Sequence, residues 1–166
     1  MKNKIIIASI AILVVGLLLW GKIGSSRPTE SAALATGSTS ANISEQIPAY
    51  DFGPVSMIRG NVEHEFTITN TNDADLTITK IETTCMCTKA VLKLSDGKEM
   101  GPFGMSGHGF SPSVSAVVRT GEKLAIRAIF DPAAHGPAGI GKVERAVILE
   151  TSSGQIMMQF RAEVTP

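Results

Sequence analysis

A chain of 166 residues with 15 basic and 15 acidic side chains has room for one modest domain and carries no net charge. Without a basic field it does not attract a polyanion, and one Trp and one Tyr leave no row of aromatic faces on which bases could stack. Nucleic-acid binding is excluded on both grounds.

Ile5 to Ile23 is almost entirely apolar, and as a helix it would rise roughly 28 Å, close to the ~30 Å hydrocarbon thickness of a bilayer. Lys2 and Lys4 in front of it hold the N-terminus in the cytoplasm, while Trp20 and Lys22 suit the far interface. Residues 1–23 are therefore expected to form a single transmembrane anchor in the cell membrane, with the rest of the chain outside the cytoplasm. The competing reading is a cleaved signal peptide ending at Ala33-Leu34-Ala35, a site far beyond Trp20. No cysteine follows the apolar run, which argues against a lipid-modified N-terminus. Residues 24–47 change to Ser, Ala, Thr and Gly and cannot bury enough surface to offset chain entropy, so they read as a linker with an end-to-end distance of roughly 25–30 Å. The folded domain is expected at 48–166.

From Pro48 onward the pattern has period two. Val62, His64, Phe66 and Ile68 share one face, and Asn70 to Asp73 supplies a turn. Leu76 and Ile78 take one parity and Ile81, Thr83, Cys85 and Cys87 the other, which predicts a bulge near Lys80. Leu124, Ile126, Ala128 and Phe130 alternate, Val143 to Leu149 is rich in β-formers, and Ile156, Met158, Phe160, Ala162 and Val164 alternate again. Short strands at this spacing without helical period predict an all-β, immunoglobulin-like antiparallel sandwich of about seven strands. Residues 95–115, rich in Gly, Pro and Ser, read as a long loop carrying Met100, Met105 and His108.

Asp51-Phe52-Gly53-x-Val55, Phe66-x-x-x-Asn70-Thr71 and Cys85-x-Cys87-Thr88, with Gly121-Glu122 and Phe130-Asp131-Pro132 further on, give a pattern that resembles the bacterial family of the domain of unknown function 1573. That family is similar to the immunoglobulin-like domains of major sperm protein and of cilium-associated proteins. The resemblance runs over Ala49 to Val164 and implies an exported or tethered sandwich with no assigned reaction. Met86 stands where the family usually has Gly and Thr120 where it often has Pro, and the 95–115 stretch is longer than usual.

The chemistry-bearing feature is Cys85-Met86-Cys87. On an extended strand, residues i and i+2 lie about 6.6 Å apart, near the upper limit for a disulfide, so a disulfide here needs a local turn. Met86 in place of Gly argues for extended backbone, because a Met with positive φ is strained. Two thiols on one face would then suit Cu(I), with Met86, Met105 and His108 as further ligands; tetrahedral zinc, with its wider cysteine spacing, fits less well. Two buried free thiols, or a simple redox pair, are the alternatives. His64 reads as a packed histidine, His135 and Asp131 as turn residues, and Met158 as core. No catalytic signature is present, so no enzyme is expected. The functional expectation is a membrane-anchored, extracytoplasmic interaction module with a protein or cell-envelope partner. The runner-up is a Cu(I)-binding or thiol-redox domain using Cys85, Met86, Cys87, Met105 and His108.

Overall fold

Alternation of apolar and polar residues becomes nine strands in a computed structural model that describes residues 47–109 and 111–166. In chain order they are β1 (Tyr50–Ser56), β2 (Val62–Thr69), β3 (Leu76–Thr83), β4 (Thr88–Leu94), β5 (Glu99–Phe103), β6 (Ala116–Val118), β7 (Lys123–Phe130), β8 (Gly141–Thr151) and β9 (Gly154–Thr165). One sheet has the order β1-β9-β8-β3-β6 and the other β2-β7-β4-β5. Their inward faces share one core, in which Ile78, Leu92, Ile126, Leu149, Met158 and Phe160 are all fully buried. Among the described residues no helix is long and apolar enough to cross a membrane. The anchor expected over 1–23, and all of the linker before Ile47, lie outside those residues.

The strand parities read from the sequence hold. Leu124, Ile126, Ala128 and Phe130 on β7 are buried, as are the five alternating residues of β9. The β3–β8 register shifts between Ile78 and Lys80, which is the expected bulge. Three expectations are corrected. The sandwich has nine strands rather than about seven, because β5 and β6 are too short to show a readable period. Part of the 95–115 loop is strand: β5 pairs with β4, and Phe103 is buried. Its Pro102 is tolerated because β5 is an edge strand. The sandwich is also not wholly antiparallel, since β1 runs parallel to β9.

The motif residues have local physical tasks. Asp51 Oδ1 accepts the Gly53 N–H at 2.8 Å, and Gly53 takes φ +65°, so the Asp-Phe-Gly triplet folds a turn into β1 where its register on β9 shifts. Asn70 is fully buried and satisfied on every side. Its Nδ2 donates to Ala74 O at 3.0 Å and Val118 O at 2.9 Å, and its Oδ1 accepts from Asn72 N–H at 3.1 Å. Its backbone N–H donates to Glu122 O and its C=O accepts the Gly121 N–H, so the side chain fastens the β2–β3 turn to β6 while the backbone ties it to the β6–β7 turn. Asn70→Ala removes three bonds and leaves the buried Val118 carbonyl without this donor. It should lower the unfolding free energy by about 2–4 kcal/mol, read by urea titration, whereas a loss below half a kcal/mol would contradict this account.

His64 is a packed histidine, as expected. Its ring stacks on Tyr50 at 3.5 Å between centroids and meets Phe66 edge-on at 4.7 Å. Burial holds its pKa below the ordinary histidine value, against a smaller opposing effect of Glu65. The unfolded chain therefore binds a proton at higher pH than the folded one. The contribution of His64 is complete above the unfolded value near 6.5 and is lost as pH falls through it toward the lowered folded value. Stability measured from pH 7.5 to 5.5 should decline, and His64→Phe should flatten that part of the profile; an unchanged slope in the variant would exclude His64 as the cause.

Candidate functional site

β3 ends in one sheet and β4 begins in the other, so residues 84–87 must carry the chain across the end of the sandwich. Four residues make that step only by turning. Thr88 N–H donates to Cys85 O at 3.1 Å, and the Thr83 hydroxyl proton is shared between Cys85 O at 3.0 Å and Thr88 O at 3.1 Å. The expectation of extended backbone at the cysteines is corrected: they sit in a turn, Cα atoms 5.3 Å apart, and form a disulfide. Met86 stands in that turn without positive φ, and it is 53 % exposed.

Two other segments meet the turn. After β7 the chain continues with Asp131, whose N–H donates to Cys87 O at 2.9 Å and whose Oδ1 accepts the Ala133 N–H at 2.9 Å. This turn, formed by Asp131 as expected, brings His135 round so that its Nε2 lies 3.1 Å from Cys85 Sγ. From β8, Arg145 occupies the parity of the buried Val147 and Leu149, opposite buried Phe160, and its Nε donates to Cys87 Sγ at 3.4 Å. Cys87 N–H also points at Cys85 Sγ at 3.4 Å, and Thr88 Oγ1 lies 3.7 Å from Cys87 Sγ. Each sulfur thus has two polar neighbours. Cys85 is 9 % exposed at the rim beside exposed His135, while Cys87 is 2 % exposed.

The site is only partly the one expected. Cys85 and Cys87 come together, but the histidine that joins them is His135, and these three donor atoms all lie within 4.8 Å of one another. His108 is not in that group; it is exposed in a turn closed by its own N–H on Met105 O at 3.1 Å. Met105 is half-buried in a segment that does fold back on β3. Gly104 O accepts the Thr83 N–H at 3.2 Å, and the Ser106 hydroxyl donates to Glu82, which together with Lys80 at 2.9 Å holds that carboxyl below its usual range. Met100 packs against the core from β5. The turn reading of His135 does not extend to the sulfurs, and the signal for Arg145 is an arginine at an inward position of a strand whose other inward residues, Val143, Val147 and Leu149, are apolar.

A family model described as protein of unknown function (DUF1573) matches residues 43–98, from before β1 through β4 and including both cysteines. The resemblance is borne out there. The match ends at 98, short of the β7–β8 loop and of Arg145. No curated protein matches the chain in sequence. Among solved structures it is similar to the human CEP192 ASH/PapD-like domain 7, at 11 % identity and TM-score 0.46, over 85 % of this chain and 97 % of that one. It is also similar to the periplasmic chaperone SfaE, at 13 % identity and TM-score 0.33, over 71 % of this chain and 56 % of that one. The Vibrio cholerae VesB protease matches at 17 % identity and TM-score 0.39 over 71 % of this chain, which spans 30 % of the length of that one.

A ring closed between residues two apart constrains the unfolded chain little: about 1.6 kcal/mol by loop entropy, against roughly 3 kcal/mol for a 15-residue loop. Reduction should therefore leave a cooperatively unfolding domain that is weaker by less than about 2 kcal/mol, read by denaturation with and without a trialkylphosphine. Collapse on reduction would make the bond a structural staple instead.

Proposed function

We propose that this immunoglobulin-like domain is an extracytoplasmic interaction module, held to the membrane by residues 1–23, that works through the Cys85–Cys87 end of its sandwich by thiol–disulfide exchange with a protein dithiol. The observation that supports this reading is the donor set around the sulfurs. A disulfide sulfur is a poor hydrogen-bond acceptor and a thiolate a strong one, yet Arg145 Nε and the Cys87 N–H donate to these atoms and His135 Nε2 lies 3.1 Å from Cys85 Sγ.

The exposure gradient gives the order of events. A partner thiolate attacks Cys85 Sγ at the rim; the S–S bond breaks and its electron pair leaves on Cys87 Sγ, beside the Arg145 guanidinium. The second partner thiol then attacks the partner's sulfur in the mixed disulfide and releases Cys85, with His135 placed to pass it a proton. Two electrons and one proton move from the partner dithiol to the domain, the proton to Cys85 while Cys87 stays a thiolate beside Arg145, and the reverse sequence oxidises a partner.

Full-length protein in membranes, equilibrated with glutathione buffers and then alkylated for mass measurement, should show one two-electron transition more oxidising than about −300 mV. Cys87→Ser should trap a mixed disulfide through Cys85, and Cys85→Ser should trap far less. A pair that stays oxidised below that potential, or equal trapping by the two variants, would refute exchange and leave a plain binding module.

A further inference from the structure

We propose that the reduced pair is a three-coordinate Cu(I) site built from Cys85 Sγ, Cys87 Sγ and His135 Nε2. It shares with the exchange reading only the reduced state of the cysteines, which can be imposed chemically.

Geometry comes first. A trigonal ion with bonds of about 2.0–2.3 Å needs donors roughly 3.5–4 Å apart. The three atoms already lie within 4.8 Å of one another, and opening the S–S bond lets the sulfurs separate on Cα atoms fixed 5.3 Å apart. The ligands come from two segments that the fold ties together, since Asp131 N–H bonds Cys87 O and Thr88 N–H bonds Cys85 O. The donors are thus preorganised by backbone rather than gathered by the ion. His135 is exposed and Cys85 lies at the rim, which leaves an entry path on that side.

Charge and softness choose the metal. Two thiolates and a neutral imidazole carry −2, so Cu(I) leaves the site at −1, and the Arg145 guanidinium, with its Nε 3.4 Å from Cys87 Sγ, brings the group to zero. Zn(II) in the same place would leave an uncompensated positive charge. It would also lack a fourth protein ligand, because among the described residues the group contains no carboxylate and no second histidine. Thiolate sulfur favours the soft monovalent ion over hard cations. The Cys87 N–H on Cys85 Sγ and Arg145 Nε on Cys87 Sγ then act as the outer hydrogen bonds that ligating sulfurs accept.

The test uses full-length protein in detergent, reduced with a phosphine and titrated anaerobically with Cu(I) against a chromophoric chelator. One Cu(I) per chain is expected, with X-ray absorption showing two sulfurs and one nitrogen. Cys85→Ser and Cys87→Ser should abolish chelator-resistant binding. His135→Gln should weaken it at least about tenfold and remove the nitrogen scatterer, and Arg145→Met should weaken Cu(I) by about 10–100-fold while narrowing its advantage over Zn(II). Met105→Ala and His108→Ala should bind as wild type does. Zn(II) binding as tight as Cu(I), a sulfur-only or Met-containing coordination shell in the wild type, or undiminished binding by the double cysteine variant would each overturn the proposal. The absorption spectrum of the wild type decides even where a variant misfolds, and failed exchange with a protein dithiol leaves this outcome untouched.

Discussion

The crossing from β3 to β4 is the constraint on which the site depends. β3 belongs to one sheet and β4 to the other, with only residues 84–87 between them. Chain running between the two edges of a sandwich leaves the ladders, so its backbone groups must find other partners. Here they do: Thr83 and Thr88 close the turn from inside, and Asp131 N–H takes Cys87 O from the β7–β8 loop. The turn is therefore specified by hydrogen bonds on both sides. Cysteines placed in it are held close together, which their separation in sequence alone would not ensure.

The same bonds decide what surrounds the sulfurs. Because the Asp131 turn is joined to the cysteine turn through Cys87 O, the direction of the following loop is fixed, and His135 arrives at Cys85. Because β8 lies next to β3 in its sheet, Arg145 at an inward position reaches the open end of the core, where Cys87 lies. Further into the sandwich an arginine facing Phe160 would be a buried charge with a cost of several kcal/mol. At the rim its head escapes toward the sulfur and Glu144 O.

Strand parity was legible because each long strand buries one face, and a one-residue error would turn every apolar residue outward. The bulge at Lys80 could be read for the same reason: Ile78 and Ile81 are both buried, and only a shifted register allows that. β5 and β6 escaped because three to five residues containing Gly101 and Pro102, or lying beside a Gly- and Ser-rich stretch, look like loop. The cysteine pair is legible in the sequence, but its neighbours are not. Met105 and His108 stand out as soft donors in a long loop, whereas what lies near the sulfurs is set by which loops the two sheets bring to one end. His135 lies fifty residues from Cys85, and no local pattern carries that pairing.

The small entropy of a three-residue ring bears on why such a pair would sit here. A bond meant to stabilise a sandwich does most when it spans a long loop, and this one spans almost nothing. The fold already has its fastening in Asn70, whose side chain joins the β2–β3 turn to β6 across a sequence separation of 48 residues. The cysteine turn is hydrogen-bonded whether or not its sulfurs are joined. Because the hydrogen bonds that close this turn run between backbone and threonine groups and not through the sulfurs, the disulfide adds little to what already holds the two sheets together at this end.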